Sequence, residues 1–171
     1  MLISEKYREE QEKLHENPNY GVASVQFAPL VTNIINTLNI EEMLDYGAGK
    51  GRLAQNINPN HKVKIELYDP ARPEWSETPN PRQFVTCIDV LEHIEPELLD
   101  NVLDDLKRVT KEFGFFTIHT GPAVKVLSDG RNAHLIQEDF RWWLPKIWER
   151  FDIHSYSQTP GGFYVVVKAW P

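Results

Sequence analysis

The sequence predicts an α/β fold: a doubly wound, mostly parallel sheet of six or seven strands with an antiparallel C-terminal hairpin strand. Three observations carry this expectation. A short apolar run at 43–46 enters three alternating glycines and then a helix. Two further apolar runs, 63–68 and 84–88, each stop at an acid, Asp69 and Asp89. Near the end, β-branched and aromatic runs at 151–156 and 163–168 flank Pro160-Gly161-Gly162 and read as a hairpin.

In chain order, residues 4–16 form a charged helix stopped by Asn17-Pro18, and its few large apolar residues (Tyr7, Leu14) mark a surface or lid helix. Phe27, Leu30, Val31, Ile34, Ile35 and Leu38 then recur with a period near 3.6, which predicts a second, amphipathic helix. Pro29 falls near its start, so this helix begins late or kinks. Residues 1–40 are thus expected to be an N-terminal helical cap, and 41–171 the core of the same domain. After the glycines a short helix leads through Asn58-Pro59-Asn60 to the second strand. Residues 70–81 carry four prolines, which excludes a helix or a central strand.

Glu95-Pro96-Glu97 opens the clearest helix of the chain. Proline and acids stand in its first turn, and Lys107, Arg108 and Lys111 at its end match the cap and dipole preferences. Residues 113–119 form the next strand, interior by its aromatic content. The polar segment 128–134 is irregular, and an aromatic helix containing Phe140, Trp142, Trp143, Ile147 and Trp148 follows it.

Composition sets the outer bounds. A chain of 171 residues is one domain by length, and 41% apolar residues suffice for a core. The net charge of −7 argues against a phosphate-backbone partner. The single Cys87 excludes an internal disulfide and suits a reducing compartment. No apolar run approaches membrane-spanning length, and the N-terminus is too charged for a secretory signal, so a cytoplasmic address is expected.

The chemistry concentrates in Asp45-Tyr46-Gly47-Ala48-Gly49-Lys50-Gly51. Glycines permit positive φ and remove Cβ atoms, so a ligand can lie against the backbone. The following helix turn adds N–H groups and a positive dipole end. Asp45, just before the glycines, points to a ligand that also carries a positive group. A dinucleotide fold wants G-x-G-x-x-G, but that third position holds Arg52 and the glycine comes one residue earlier. Asp69 closes the second strand, where a carboxylate can accept from both hydroxyls of a ribose.

Together with Asp89-Val90-Leu91-Glu92-His93-Ile94, these pieces resemble the class I (Rossmann-like) S-adenosylmethionine (SAM) methyltransferases. That family is marked by an acid-x-G-x-G-x-G loop, an acid ending the second strand, and a strand running into D-V-L-E-H-I. The resemblance spans residues 20–120. It implies SAM as cofactor and S-adenosylhomocysteine as product, held by Asp45, Gly47, Ala48, Gly49 and Gly51 on the loop. Asp69 and Pro70 follow at the second strand, and Asp89, Val90 and Leu91 at the fourth of the family's order. Asp89 meets either the cofactor ammonium or the acceptor. Tyr20 resembles a lid aromatic, and equally an anchor packing the two N-terminal helices together. The chain departs from the family at 70–81, where a helix and third strand are usual, so the edge strand is missing or rudimentary. Trp75 there packs on the adenine or covers nearby apolar surface.

Three residues are candidates for catalysis. His93, close to the expected methyl position, is a base, a hydrogen-bond partner of the nucleophile, or an orienter of the next helix. Arg131 is suited to hold a carboxylate or phosphate, and His134 to take a proton; otherwise Asp129-Gly130 is a plain turn and both residues cap backbone. The N/D-P-P-Y-type turn of nucleic-acid amino-methylating enzymes is missing at 89–92. Thr120-Gly121-Pro122 offers no acid to join Asp89 in holding Mg²⁺, so no metal ligands are expected. The resulting expectation is a metal-independent methyltransferase acting on O or N of a small-molecule, polar acceptor, with neither nucleic acid nor membrane as partner. The alternatives are a non-catalytic SAM- or nucleotide-binding regulatory module, or aminopropyl or aminocarboxypropyl transfer from the same donor.

Overall fold

A computed structural model describes residues 1–17 and 21–170. The runs that sequence pattern marks as strands become β1 (Glu42–Tyr46), β2 (Lys64–Tyr68), β3 (Arg82–Ile88) and β4 (Thr110–His119). The closing hairpin is β5 (Phe151–Thr159) and β6 (Gly162–Ala169). They form one sheet in the order β2-β1-β3-β4-β6-β5. The first four strands are parallel, and β6 inserts antiparallel between β4 and β5. Among the described residues no strand lies beyond β2. The proline-rich segment contributes only the single 3₁₀ turn Pro73–Trp75.

Alternation along the strands builds two cores. Leu44, Val85 and Phe116 face one side, while their neighbours Met43, Phe84 and Phe115 face the other. Helix α4 (Leu99–Val109) covers the first side with Leu99, Val102, Leu103, Leu106 and Val109. It is joined there by Trp143 and Ile147 of α5 (Phe140–Trp148). Helix α2 (Ala23–Leu38) covers the second side with Ala28, Val31, Ile34 and Ile35. Of the tryptophans of α5, Trp143 is core, as the apolar spacing implies, and Trp148 is 65% exposed.

Several boundaries differ from the sequence pattern, among them the start of α4, which a 3₁₀ turn at Pro96–Leu98 precedes. Helix α2 starts at Ala23 and carries Pro29 within it on an exposed position, so the helix does not begin late. Strand β4 begins at Thr110, directly after α4, because Thr110 pairs with Arg82 before the apolar run begins. The short α3 (Arg52–Asn56) follows the glycines. Helix α1 (Glu5–His15) is capped by the Ser4 side chain. No described helix is long and apolar enough to cross a membrane.

The β4–β6 register depends on Gly162, which pairs with His119. A Cβ at this position would lie 2.1 Å from the Ile118 carbonyl oxygen, a backbone atom that cannot swing aside. Gly162→Ala is therefore expected to destabilise the protein by about 1–3 kcal/mol, read as a lower midpoint in urea unfolding; an unchanged midpoint would remove the register argument.

Candidate functional site

At the carboxyl ends of β1, β2 and β3 the chain leaves the sheet in three turns, and a cleft opens between them and α1. The space between its walls, open mouth included, is about 820 Å³. This is the edge at which open α/β sheets carry ligands.

The glycine turn is built by its φ angles: 76° at Gly47, 56° at Gly49 and 66° at Gly51. A Cβ on Gly47 would come within 2.4 Å of Val90, so Val90 seals the turn from below. Gly51 packs on Leu67 and Trp75 outside the cleft. The turn's amides are engaged internally. Gly47 and Ala48 donate to the Tyr68 carbonyl at 2.8 and 3.0 Å, and Gly51 donates to the Ala48 carbonyl at 2.8 Å. Gly49 donates to Asp69 Oδ2 at 2.8 Å. The donors expected to greet a ligand are thus used by the fold, and the turn offers bare, Cβ-free surface instead.

Asp69 is anchored at both oxygens, since Ala71 N–H donates to Oδ1 at 2.9 Å. Each oxygen keeps a second lone pair, the pattern a vicinal diol requires. Asp45 is buried at the end of β1 and accepts from the Thr86 hydroxyl at 3.0 Å. Burial pushes its carboxyl up to about 7; Thr86 opposes this and the nearby Asp69 adds to it. A cationic ligand group beside Asp45 would relieve that strain. Bare glycines, a diol acceptor and a buried acid awaiting a positive partner together fit a nucleoside with a cationic amino-acid tail.

The far end of the cleft is made by the turn after β3. Asp89 adopts φ 58°, which Asp tolerates better than most residues, and its N–H donates to Thr117 Oγ1 at 3.0 Å. His93 Nδ1 is held by the Ala133 carbonyl at 2.8 Å, and His134 Nδ1 by the Gly121 carbonyl at 2.7 Å. The two rings pack edge to face, with centroids 4.7 Å apart. Burial, opposed by Asp89, puts the His93 imidazole down at about 4, so the ring is neutral at physiological pH. Glu92 is fully buried and accepts from His119 N–H at 2.6 Å. Burial first, and Asp89 next, hold its carboxyl well above the usual carboxylate range.

Helix α1 roofs the cleft and is tied down along its length. Ser4 donates from N–H and hydroxyl to Glu95 at 2.8 and 2.6 Å. Tyr7 hydroxyl donates to the His93 carbonyl at 2.6 Å, and Gln11 donates to Tyr7. Ser128 donates twice to Glu10, and Lys50 donates to the Asn17 carbonyl. The His15 ring lies over Gly49.

The structure brings Asp45, Gly47, Ala48 and Gly49 to the cleft with Asp69 and Pro70, and at its far end Asp89, Val90 and His93. His134 stands behind His93 and is nearly buried. Leu91 follows at the start of a 3₁₀ turn over residues 91–93, with its side chain fully buried in the core beside Leu99 and Val102. Gly51 serves helix–strand packing, as noted. Arg131 is not in the cleft; it pairs with Asp129 at 2.7 Å and lies over the Tyr7 ring. Trp75 covers the outside of the glycine turn and stacks with Arg72. Tyr20 lies outside the described residues. Sequence reading missed Tyr7, Gln11 and His15, all of which line the cleft. Their spacing of four residues puts them on one helix face, a signal that a search for apolar residues alone passes over.

Comparison with known proteins bears on the fold. A family model described as a methyltransferase domain matches residues 10–159. No curated protein matches the sequence. Among solved structures, the chain is similar to the Burkholderia thailandensis 1,6-didemethyltoxoflavin-N1-methyltransferase with bound 1,6-didemethyltoxoflavin and S-adenosylhomocysteine, at 13% identity and a TM-score of 0.62, covering 96% of this chain and 86% of that one. It is also similar to the mitomycin 7-O-methyltransferase MmcR, at 12% identity and a TM-score of 0.68, covering 96% and 60%. The 16S rRNA methylase ArmA is similar at 18% identity and a TM-score of 0.58, covering 95% and 91%. At these identities the likeness speaks for the fold alone.

Asp45 gives the ligand-free protein a pH dependence with a defined sign. Its folded pKa, about 7, lies above the ordinary 3.8, so the folded state binds more protons between these values. Stability from this group is full below pH 4 and falls as pH rises toward 7, by no more than about 4 kcal/mol. Asp45→Asn is expected to flatten this decline in urea midpoints measured from pH 5 to 8. An identical decline in wild type and variant would show that Asp45 is not its source.

Proposed function

Since the chain belongs to the class I SAM-dependent methyltransferase family, we propose that it methylates an oxygen or nitrogen of a small or medium polar acceptor entering beside His93. When bound, SAM supplies a methyl group on a cationic sulfur, which leaves in line with its electron pair as the acceptor's lone pair bonds the carbon.

Each residue of the cleft has a role in that frame. The Asp69 carboxylate, fixed by Gly49 and Ala71, accepts from the two ribose hydroxyls. Asp45 faces the ammonium of the amino-acid tail. Gly47, Ala48 and Gly49 let the ligand lie on the backbone, while Asp89 and Val90 close the floor. His93 presents its Nε2 lone pair, because Nδ1 is held by the Ala133 carbonyl. An imidazole with a pKa near 4 is a weak base. It positions an acceptor by hydrogen bonding better than it removes a proton, and alignment alone supplies much of the barrier reduction in such displacements. His134 holds the His93 ring from behind, and Arg131 fastens α1 through Tyr7 instead of meeting the acceptor.

The observation that carries this reading is a single cleft that unites the diol acceptor Asp69, the buried Asp45 and the Asp89–His93 end. The Asp89, Val90 and His93 lining of the far end favours turnover over a binding module without catalysis. The net charge of −7 and the helix tied across the cleft favour a small acceptor over a nucleic acid.

Titration calorimetry with SAM and S-adenosylhomocysteine is the test. Both are expected to bind, and Asp69→Asn to weaken them about 10- to 100-fold through the loss of charge-assisted hydrogen bonds, with unfolding curves confirming that the variant is folded. Absence of heat for either ligand with wild-type protein at high micromolar concentration would end the proposal.

A further inference from the structure

The sequence alone led to an expectation of no metal ligands. The geometry points to the opposite: we propose that Asp89, His93 and His134, backed by Glu92, bind one divalent transition-metal cation at the acceptor end of the cleft.

One donor atom from each of Asp89, His93 and His134 lies within 4.8 Å of the others. Donors about 2.1 Å from a common ion lie about 3–4.2 Å apart, so small side-chain movements suffice to close the set. Both imidazoles are already oriented as ligands. Each Nδ1 is held by a backbone carbonyl, Ala133 for His93 and Gly121 for His134, which makes Nε2 the lone-pair nitrogen. Metal-binding histidines are held in this way through the ring nitrogen that does not ligate. The His134 ring is also braced by His119, at 4.9 Å between centroids.

Glu92 supplies an independent observation. It is fully buried three residues after Asp89 and beside His93 in the chain, and its Oε1 accepts from His119 N–H. Its side chain is hydrogen-bonded to Asp89. Carboxylates that ligate metals are themselves held by hydrogen bonds, so Glu92 is placed to orient Asp89 as a ligand.

The donor set selects the metal class. Two imidazoles with one or two carboxylates suit Mn²⁺, Co²⁺ or Zn²⁺, whereas Mg²⁺ prefers an all-oxygen shell. Resting on the methyl-transfer reading above, such an ion, held by the His93 Nε2, would take over the positioning of the acceptor by coordinating its hydroxyl and lowering its pKa. Oxygen is then methylated in preference to an amine, and the hydroxyl proton leaves to water as the new O–C bond forms.

The experiment loads the metal-free full chain with Co²⁺ and with Mn²⁺. Co²⁺ is followed by its visible absorption and Mn²⁺ by loss of the free-ion electron paramagnetic resonance signal. S-Adenosylhomocysteine binding is measured in parallel by calorimetry in a chelator. One equivalent of Co²⁺ or Mn²⁺ is expected, weakened at least 10-fold in His134→Ala and in the more conservative His134→Gln, with Mg²⁺ a poor competitor. S-Adenosylhomocysteine binding in chelator should persist in both variants, which shows that they are folded. No uptake at millimolar metal, or uptake unchanged in both folded variants, overturns the cation site while leaving the cofactor reading intact. Failure to bind S-adenosylhomocysteine would instead strike the methyltransferase assignment.

Discussion

The cleft depends on one carboxylate doing two things at once. Asp69 ends β2 and clamps the glycine turn through Gly49 N–H, while its other oxygen fixes the start of the next loop through Ala71 N–H. That clamp adds to the two bonds by which Gly47 and Ala48 already tie the turn to the Tyr68 carbonyl of β2. Val90 then fills the space that a Cβ on Gly47 would take, which locks the turn after β3 against the same glycines. Three strand ends are joined in this way before any ligand arrives. Such preorganisation spares a ligand the cost of ordering its own site.

The roof is held differently. Helix α1 buries few large apolar side chains, Tyr7 chief among them. It is fastened by hydrogen bonds from Ser4 to Glu95, from Tyr7 to the His93 carbonyl, and from Ser128 to Glu10. The bonds to the buried carboxylates of Glu95 and Glu10 contribute about 1.5–3 kcal/mol each, and the Tyr7 bond about 1 kcal/mol. A helix held so is fixed by its polar ends more than by an apolar face. The same ties link α1 to the turn that carries His93 and to the loop that carries His134, so the roof and the acceptor end are mechanically connected.

Most of the architecture was legible in the sequence, for physical reasons. Period-2 and period-3.6 apolar patterns report which face is buried, and both cores follow them through pairs such as Met43 and Leu44 or Phe115 and Phe116. Asp45, the glycines and Asp69 were legible because a strand end and a turn are local events. What escaped was long-range. The engagement of the turn amides by Tyr68 requires knowing that β1 and β2 are neighbours in register. His93 and His134 are far apart in sequence and meet only because the 120–136 loop folds back over β3, where Ile136 N–H donates to the Glu92 carbonyl. Spacing along the chain carries no trace of that meeting, so the sequence could name both histidines but not pair them.

With no strand beyond β2 among the described residues, one wall of the cleft falls to the loop that begins at Pro70. Four ring-locked φ angles in twelve residues do there what a ladder of inter-strand hydrogen bonds does elsewhere. Covalent restriction of that kind acts on the unfolded chain, which has fewer conformations to give up. It also persists whether or not the site is filled. The wall that begins at Pro70 therefore keeps its shape without a strand to pair with.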